Sequence, residues 1–265
     1  MGSCFSSDEE YYDPNNISCF RSSAHSVIKN IVFPAPTYDV PKEELFINYN
    51  INFVDDVPYI LYLAKNAKKY VVFAHGNGSD IIKMDKYGTE LSKMLNINVI
   101  LFEYPGYSVC DKTPSEQGCY NNLEKIINFM INNMKISKNN IYLVGNSLGT
   151  GVVAHYAATH QWLTPIMLIS PYKSIASVVI NNDSVSCKLV KNTVDMFETI
   201  KKLHAIKSPV KILHGDNDNV INISHAKMLY DKVVNKMTPI WYHGIGHNDI
   251  LWNISDAEWK DFLHN

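Results

Sequence analysis

The sequence predicts an α/β fold, with a mostly parallel central sheet, helices on both faces and a small cap. Three observations carry this expectation. First, short, mostly apolar runs, the signature of strands buried on both faces, recur at Tyr70–Ala74, Asn98–Phe102, Ile141–Val144, Pro165–Ile169 and Pro209–Leu213. Second, one of them runs into Gly145-Asn146-Ser147-Leu148-Gly149, a G-x-S-x-G, and then into a small-residue helix through Val152, Ala154 and Ala157. Third, acid and imidazole side chains follow Ser147 in order, at the ends of later strands.

The length of 265 residues fits one large domain, expected over 27–265, preceded by a polar flexible tail over 1–26. A hydrophobic content of 46% is enough for a sizeable core. A net charge of −2 gives no reason to expect a nucleic-acid partner. Five cysteines without CxxC spacing argue against a disulfide framework or a zinc site, and fit a reducing compartment. No apolar run has transmembrane length, and no N-terminal apolar stretch reads as a signal peptide. No cofactor or metal is expected, and a monomer is expected.

In chain order, Met1-Gly2-Ser3-Cys4-Phe5-Ser6 matches the N-myristoylation pattern at Gly2, with Cys4 placed for S-palmitoylation. One myristoyl chain anchors marginally and a second makes residence stable. Ile28–Phe33 reads as a short helix, and Phe33–Tyr38 as extended through its prolines. Leu45–Phe53 and Tyr59–Leu63 alternate as an antiparallel pair at the sheet edge. Tyr70–Ala74 leads into His75-Gly76-Asn77-Gly78, followed by the strand Asn98–Phe102. Thr113-Pro114-Ser115-Glu116 reads as a capping box with proline at the first helical position, opening a helix with Leu123, Ile126, Ile127 and Met130 inward. Residues 171–208 hold room for one or two helices, hence a small cap and an open cleft suited to a bulky substrate. Ser224 caps a helix through Val234, Pro239–Tyr242 is the last strand, and a helix over Ser255–Leu263 turns Trp259 and Phe262 inward.

The chemistry sits at the strand ends. In a strand–turn–helix context, Ser147 becomes a nucleophile whose hydroxyl projects at a helix N-terminus. Gly145 and Gly149 lack Cβ atoms and let strand and helix close on each other. The backbone N–H of Asn77 and that of Leu148 are placed to share one oxyanion, each such donor being worth about 3 kcal/mol. His75 is expected to be structural. After Pro209–Leu213, both Asp216 and Asp218 are placed to orient an imidazole. Gly244-Ile245-Gly246 lets His247 loop back toward Ser147 as the general base, with His243 the weaker choice.

The chain resembles the ABHD17 (alpha/beta hydrolase domain-containing 17) group of α/β-hydrolase protein depalmitoylases from about Phe33 to Leu251. The likeness rests on Phe33-Pro34-Ala35-Pro36-Thr37-Tyr38, His75-Gly76-Asn77, Gly145–Thr150, Ile206–Val210, His214–Ile221, Ser224-His225 and Gly244–Ile250. The resemblance implies an α/β-hydrolase fold and a triad of Ser147, Asp218 and His247, so it selects Asp218 over Asp216. It also implies removal of acyl chains from S-acylated proteins at the cytoplasmic face of membranes. Two departures stand out: the group's N-terminal cysteine cluster is reduced here to Cys4 and Cys19, and 171–200 matches poorly. The alternatives are a lipid or small-ester hydrolase with the same triad, a non-catalytic scaffold, and a cytosolic location.

Overall fold

A computed structural model describes residues 32–179 and 195–264. The expected tail over 1–26, with Gly2 and Cys4, lies outside the described residues, as do most of the helix expected at Ile28–Phe33 and the middle of the cap interval.

Among the described residues, eight strands form one sheet: β1 (Asn52–Val54), β2 (Val57–Tyr62), β3 (Tyr70–Ala74), β4 (Asn98–Phe102), β5 (Ile141–Asn146), β6 (Ile166–Ile169), β7 (Val210–Gly215) and β8 (Ile240–Tyr242). Their order across the sheet is β1-β2-β4-β3-β5-β6-β7-β8. The β1–β2 and β2–β4 pairs are antiparallel and all others are parallel. The parallel strands therefore end on the same edge, and their following loops carry Asn77, Ser147, Asp218 and His247 to it.

The helices wholly within the described residues are α1 (Lys42–Asn48), α2 (Asp85–Leu95), α3 (Glu116–Asn132), α4 (Leu148–Thr159), α5 (Ile175–Val179), α6 (Ser224–Lys232), α7 (Ile250–Asn253) and α8 (Asp256–His264). Successive strand residues point to opposite faces, so each face has its own core. Val72, Ile100, Leu143, Leu168 and Ile212 face the α3, α4 and α6 side, with Leu123, Ile127, Val153 and Leu229. Val71, Phe73, Val99, Val144 and Leu213 face the other side, with Tyr87, Leu91, Trp259 and Phe262.

Three local expectations are corrected. The segment expected as a strand over Leu45–Phe53 begins as helix α1, and only Asn52–Val54 joins the sheet. Period-two burial fails there, because Leu45 is buried while Ile47 is 80% exposed; the helix buries one stripe instead. The α3 cap is Ser115, in extended conformation, whose hydroxyl accepts from the N–H of Gly118 at 3.1 Å. Pro114 thus precedes the cap, and the Glu116 carboxylate turns away to accept from the Phe197 N–H at 2.8 Å. Ser224 is the first helical residue of α6 without a side-chain cap bond, and that helix ends at Lys232. The described part of the cap is slight: α5 and two 3₁₀ turns, Thr199–Lys201 and Leu203–Ala205.

Candidate active site

The turn between β5 and α4 holds Ser147 at φ 49° and ψ −115°, a left-handed backbone that a non-glycine residue adopts only under constraint. The constraint is visible. The Ser147 N–H donates to the Ile169 carbonyl at 2.8 Å, and its carbonyl accepts from the Thr150 N–H and hydroxyl at 2.9 and 2.7 Å. The two glycines of the motif allow the close approach expected of them. A Cβ on Gly149 would lie 2.0 Å from the Ala74 carbonyl oxygen, and one on Gly145 would lie 2.4 Å from the Gly149 oxygen.

The structure brings Ser147, His247 and Asp218 together. His247 Nε2 lies 3.0 Å from Ser147 Oγ, and His247 Nδ1 lies 2.7 Å from Asp218 Oδ2. Asp218 Oδ1 accepts from the N–H groups of Val220 and Ile221 at 2.9 and 2.7 Å. Burial alone would raise the Asp218 carboxyl. The hydrogen bonds from His214, His247 and the Ile221 N–H outweigh burial and hold it well below the usual carboxylate range. Asp216 is elsewhere: it pairs at 2.8 Å with His243, whose side chain is almost fully exposed. The two acid and two imidazole alternatives thus resolve into an inner pair and an outer one.

The β3–α2 loop lies against the elbow. A Cβ on Gly76 would meet Asn146 Oδ1 at 2.9 Å and Ser147 Cβ at 3.3 Å. Asn77 accepts from the Tyr107 hydroxyl at 3.0 Å through Oδ1, and Leu148 opens α4, where the first N–H groups have no partner within the helix. His75 is buried, as expected of a structural residue, with Nε2 3.0 Å from Glu103 Oε1.

Sequence reasoning passed over Glu103, the anchor of this loop. Its carboxylate accepts from the Ile81 and Tyr104 N–H groups and the Ser108 hydroxyl, so one fully buried acid ties β4 to the loop before α2. A charged residue directly after a buried apolar strand was the available signal. Tyr38, at the end of the Phe33–Tyr38 entry, donates to Asp80 at 2.6 Å and pins the same loop from outside.

Two clefts meet at Ser147 and His247. One, of about 330 Å³, is lined by apolar groups including Val32, Tyr172, Ile175, Val178 and Ile221. The other, of about 260 Å³, has a more polar lining that includes Asn77, Ser79, Lys83, Asn146 and Asn248. Among the described residues, no group of three or more His, Cys, Asp or Glu side chains is placed to hold a metal ion, and no helix is long and apolar enough to cross a membrane.

No family model matches the chain. A candidate alpha/beta hydrolase of Acanthamoeba polyphaga mimivirus is 42% identical over 249 residues, covering 90% of this chain and 92% of that protein. Alpha/beta hydrolase domain-containing protein 17C of Xenopus tropicalis is 32% identical over 180 residues, covering 68% of this chain and 56% of that protein. The human 17B protein is 31% identical over 185 residues, covering 70% and 62%. The chain thus spans little more than half the length of these ABHD17 relatives. Among solved structures, an esterase of Pyrococcus furiosus matches with a TM-score of 0.63 at 16% identity, over 88% of this chain and 98% of that one. A monoacylglycerol lipase of Paleococcus ferrophilus matches at 0.51 and 21%, over 72% and 90%. At such identities these two likenesses speak for the fold alone.

Proposed function

The chain belongs to the α/β hydrolases and is homologous to their ABHD17 group, and from that footing we propose that it is a serine hydrolase that removes long-chain acyl groups from S-acylated cysteines of proteins. The observation that carries this reading is the pair of unlike clefts meeting at Ser147. The apolar cleft takes the acyl chain, each buried methylene contributing about 0.8 kcal/mol. The polar cleft takes the cysteine and its flanking peptide.

The chemistry follows from the distances. His247 Nε2 takes the Ser147 hydroxyl proton as Oγ attacks the thioester carbonyl carbon. Asp218 fixes the tautomer of His247 through Nδ1–H and balances the imidazolium charge. The oxyanion is received by the N–H groups of Asn77 and Leu148. The C–S bond breaks and the thiol leaves with the proton from His247. Water then gives a proton to His247 and attacks the acyl ester, releasing the fatty acid and restoring Ser147.

Attachment to the cytoplasmic face of a membrane belongs to the same proposal. Val32, where the described chain begins, lines the apolar cleft, and Val179 and Val220 stand exposed at its mouth. Acyl chains on Gly2 and Cys4 would tether the chain to the membrane through the segment that leads to Val32. Gly2→Ala should release the protein from membranes, and Cys4→Ser should weaken its residence, both read by fractionation; membrane retention of both variants would contradict this anchor. A fluorophosphonate probe tests the site itself. Ser147 should be the labelled residue, and a palmitoyl-thioester peptide should slow its labelling. Labelling without such competition would favour the alternative, a lipid or small-ester hydrolase.

A further inference from the structure

His214, the last side chain of β7 before its closing glycine, is fully buried and takes no part in the steps above. Its Nε2 lies 2.8 Å from the Ile221 carbonyl oxygen and 3.2 Å from Asp218 Oδ2. Both neighbours are acceptors, so only a protonated Nε2 fits between them; a bare lone pair there would face a carbonyl and a carboxylate. Nδ1 is buried with no hydrogen-bond partner among the described residues. A second proton on Nδ1 would be a buried donor of a charged ring with nothing to receive it. The surroundings therefore select the Nε2–H tautomer and a single proton.

The ring completes the hydrogen bonding of Asp218. Oδ1 takes the Val220 and Ile221 N–H groups, while Oδ2 takes His247 Nδ1–H and lies 3.2 Å from His214 Nε2. Three donors occupy three of the roughly four lone-pair positions of the carboxylate, and the His214 Nε2–H, bonded to the Ile221 carbonyl, stands beside the fourth. We propose that His214 is a positioning residue, whose Nε2–H shares Asp218 Oδ2 with His247, fixes the plane of the carboxylate and limits how strongly that oxygen holds the His247 proton. The rate consequences rest on the serine-hydrolase reading; the hydrogen-bond pattern does not.

Other charged and titratable groups around this centre are Asp216 and His243, paired with each other at the outer end of the loops, Asp249 beside Gly246, and Lys83 across the polar cleft. None of them bonds the Asp218 carboxylate, so His214 is the side chain whose removal leaves Oδ2 wholly to His247.

The experiment is long-range ¹H–¹⁵N NMR of the imidazoles across a pH titration of the full chain, on wild type, His214→Phe and His214→Gln. In wild type, His214 should appear as the Nε2–H tautomer. His214→Phe keeps the ring volume and removes the donor. It should move the His247 midpoint up by about half a pH unit or more, because the unshared carboxylate favours the imidazolium. His214→Gln, whose amide can donate, should return most of that shift. Turnover of a thioester should show the acid limb of the rate profile moving the same way in His214→Phe, with kcat about tenfold lower and KM unchanged. An Nδ1–H tautomer of His214, or an unmoved His247 midpoint in folded His214→Phe, would overturn the proposal. Absence of turnover in wild type would count against the hydrolase reading, while the NMR result would still decide the role of His214.

Discussion

At the scale of single residues, the site depends on which oxygen meets which nitrogen. If Ser147 is the nucleophile, Ser147→Ala should lower turnover by about 10⁴-fold or more while leaving the fold intact, measured by steady-state hydrolysis beside circular dichroism. Asp218 carries a second expectation. Burial raises its carboxyl, but the bonds from His214, His247 and Ile221 lower it further, so the folded value lies below the unfolded one. Such a group adds stability at pH values above its unfolded pKa of about 3.9, and that contribution is lost as pH falls toward the folded value. Asp218→Asn should therefore flatten the acid side of the stability profile, seen as a smaller drop in urea midpoint below about pH 5 than in wild type. Much of this constellation is legible in the sequence, since Ser147, Asp218 and His247 each follow a readable strand. The choice of Asp218 over Asp216 is not legible from spacing, because both aspartates leave the same strand end and the outer pair Asp216–His243 mimics the inner one. His214 and Glu103 are less legible still, because burial and the identity of a partner across the fold decide what they do.

At the scale of elements, the elbow works because β3, β5 and α4 touch through backbone. Gly149→Ala would set a Cβ 2.0 Å from the Ala74 carbonyl oxygen, so it should cost about 3 kcal/mol of stability and displace Ser147. Gly78→Ala is the useful contrast. Its Cβ would meet nothing within 4 Å, and only the φ of 70° opposes it, so about 1 kcal/mol should be lost. Urea unfolding of the two variants measures the difference; equal losses would mean that close approach is not what the motif glycine serves. Ser115→Ala, which removes the bond to the Gly118 N–H, should cost about 1 kcal/mol by the same measurement. The elements least legible in sequence are those where two periods compete. Leu45 to Phe53 alternates like a strand, yet Leu45 alone among the residues of α1 is buried, and the acids Glu43 and Glu44 sit in the first turn where they favour a helix. The Thr113–Glu116 stretch offers two hydroxyls as caps, and only the backbone of Ser115, extended at φ −160°, can serve.

At the scale of the whole molecule, the parallel strands order the loops, and the loops order the chemistry. The alternation of strand and helix made this architecture readable, since continuous apolar runs such as Tyr70–Ala74 and Ile166–Ile169 can be buried only between two helical layers. An open cleft was expected from the short 171–208 interval, but its walls could not be read in advance, because they come from residues as distant in sequence as Val32, Tyr172 and Ile221. Those walls are what turns a general acyl-transfer constellation into a thioesterase proposal. The most direct test is release of free thiol from an S-palmitoylated peptide by the purified chain, run beside release of fatty acid from a monoacylglycerol, each with wild type and Ser147→Ala. Thiol release by wild type should outpace lipid hydrolysis and disappear in Ser147→Ala. Hydrolysis of the lipid alone, or thiol release that survives the loss of Ser147, would contradict the thioesterase proposal.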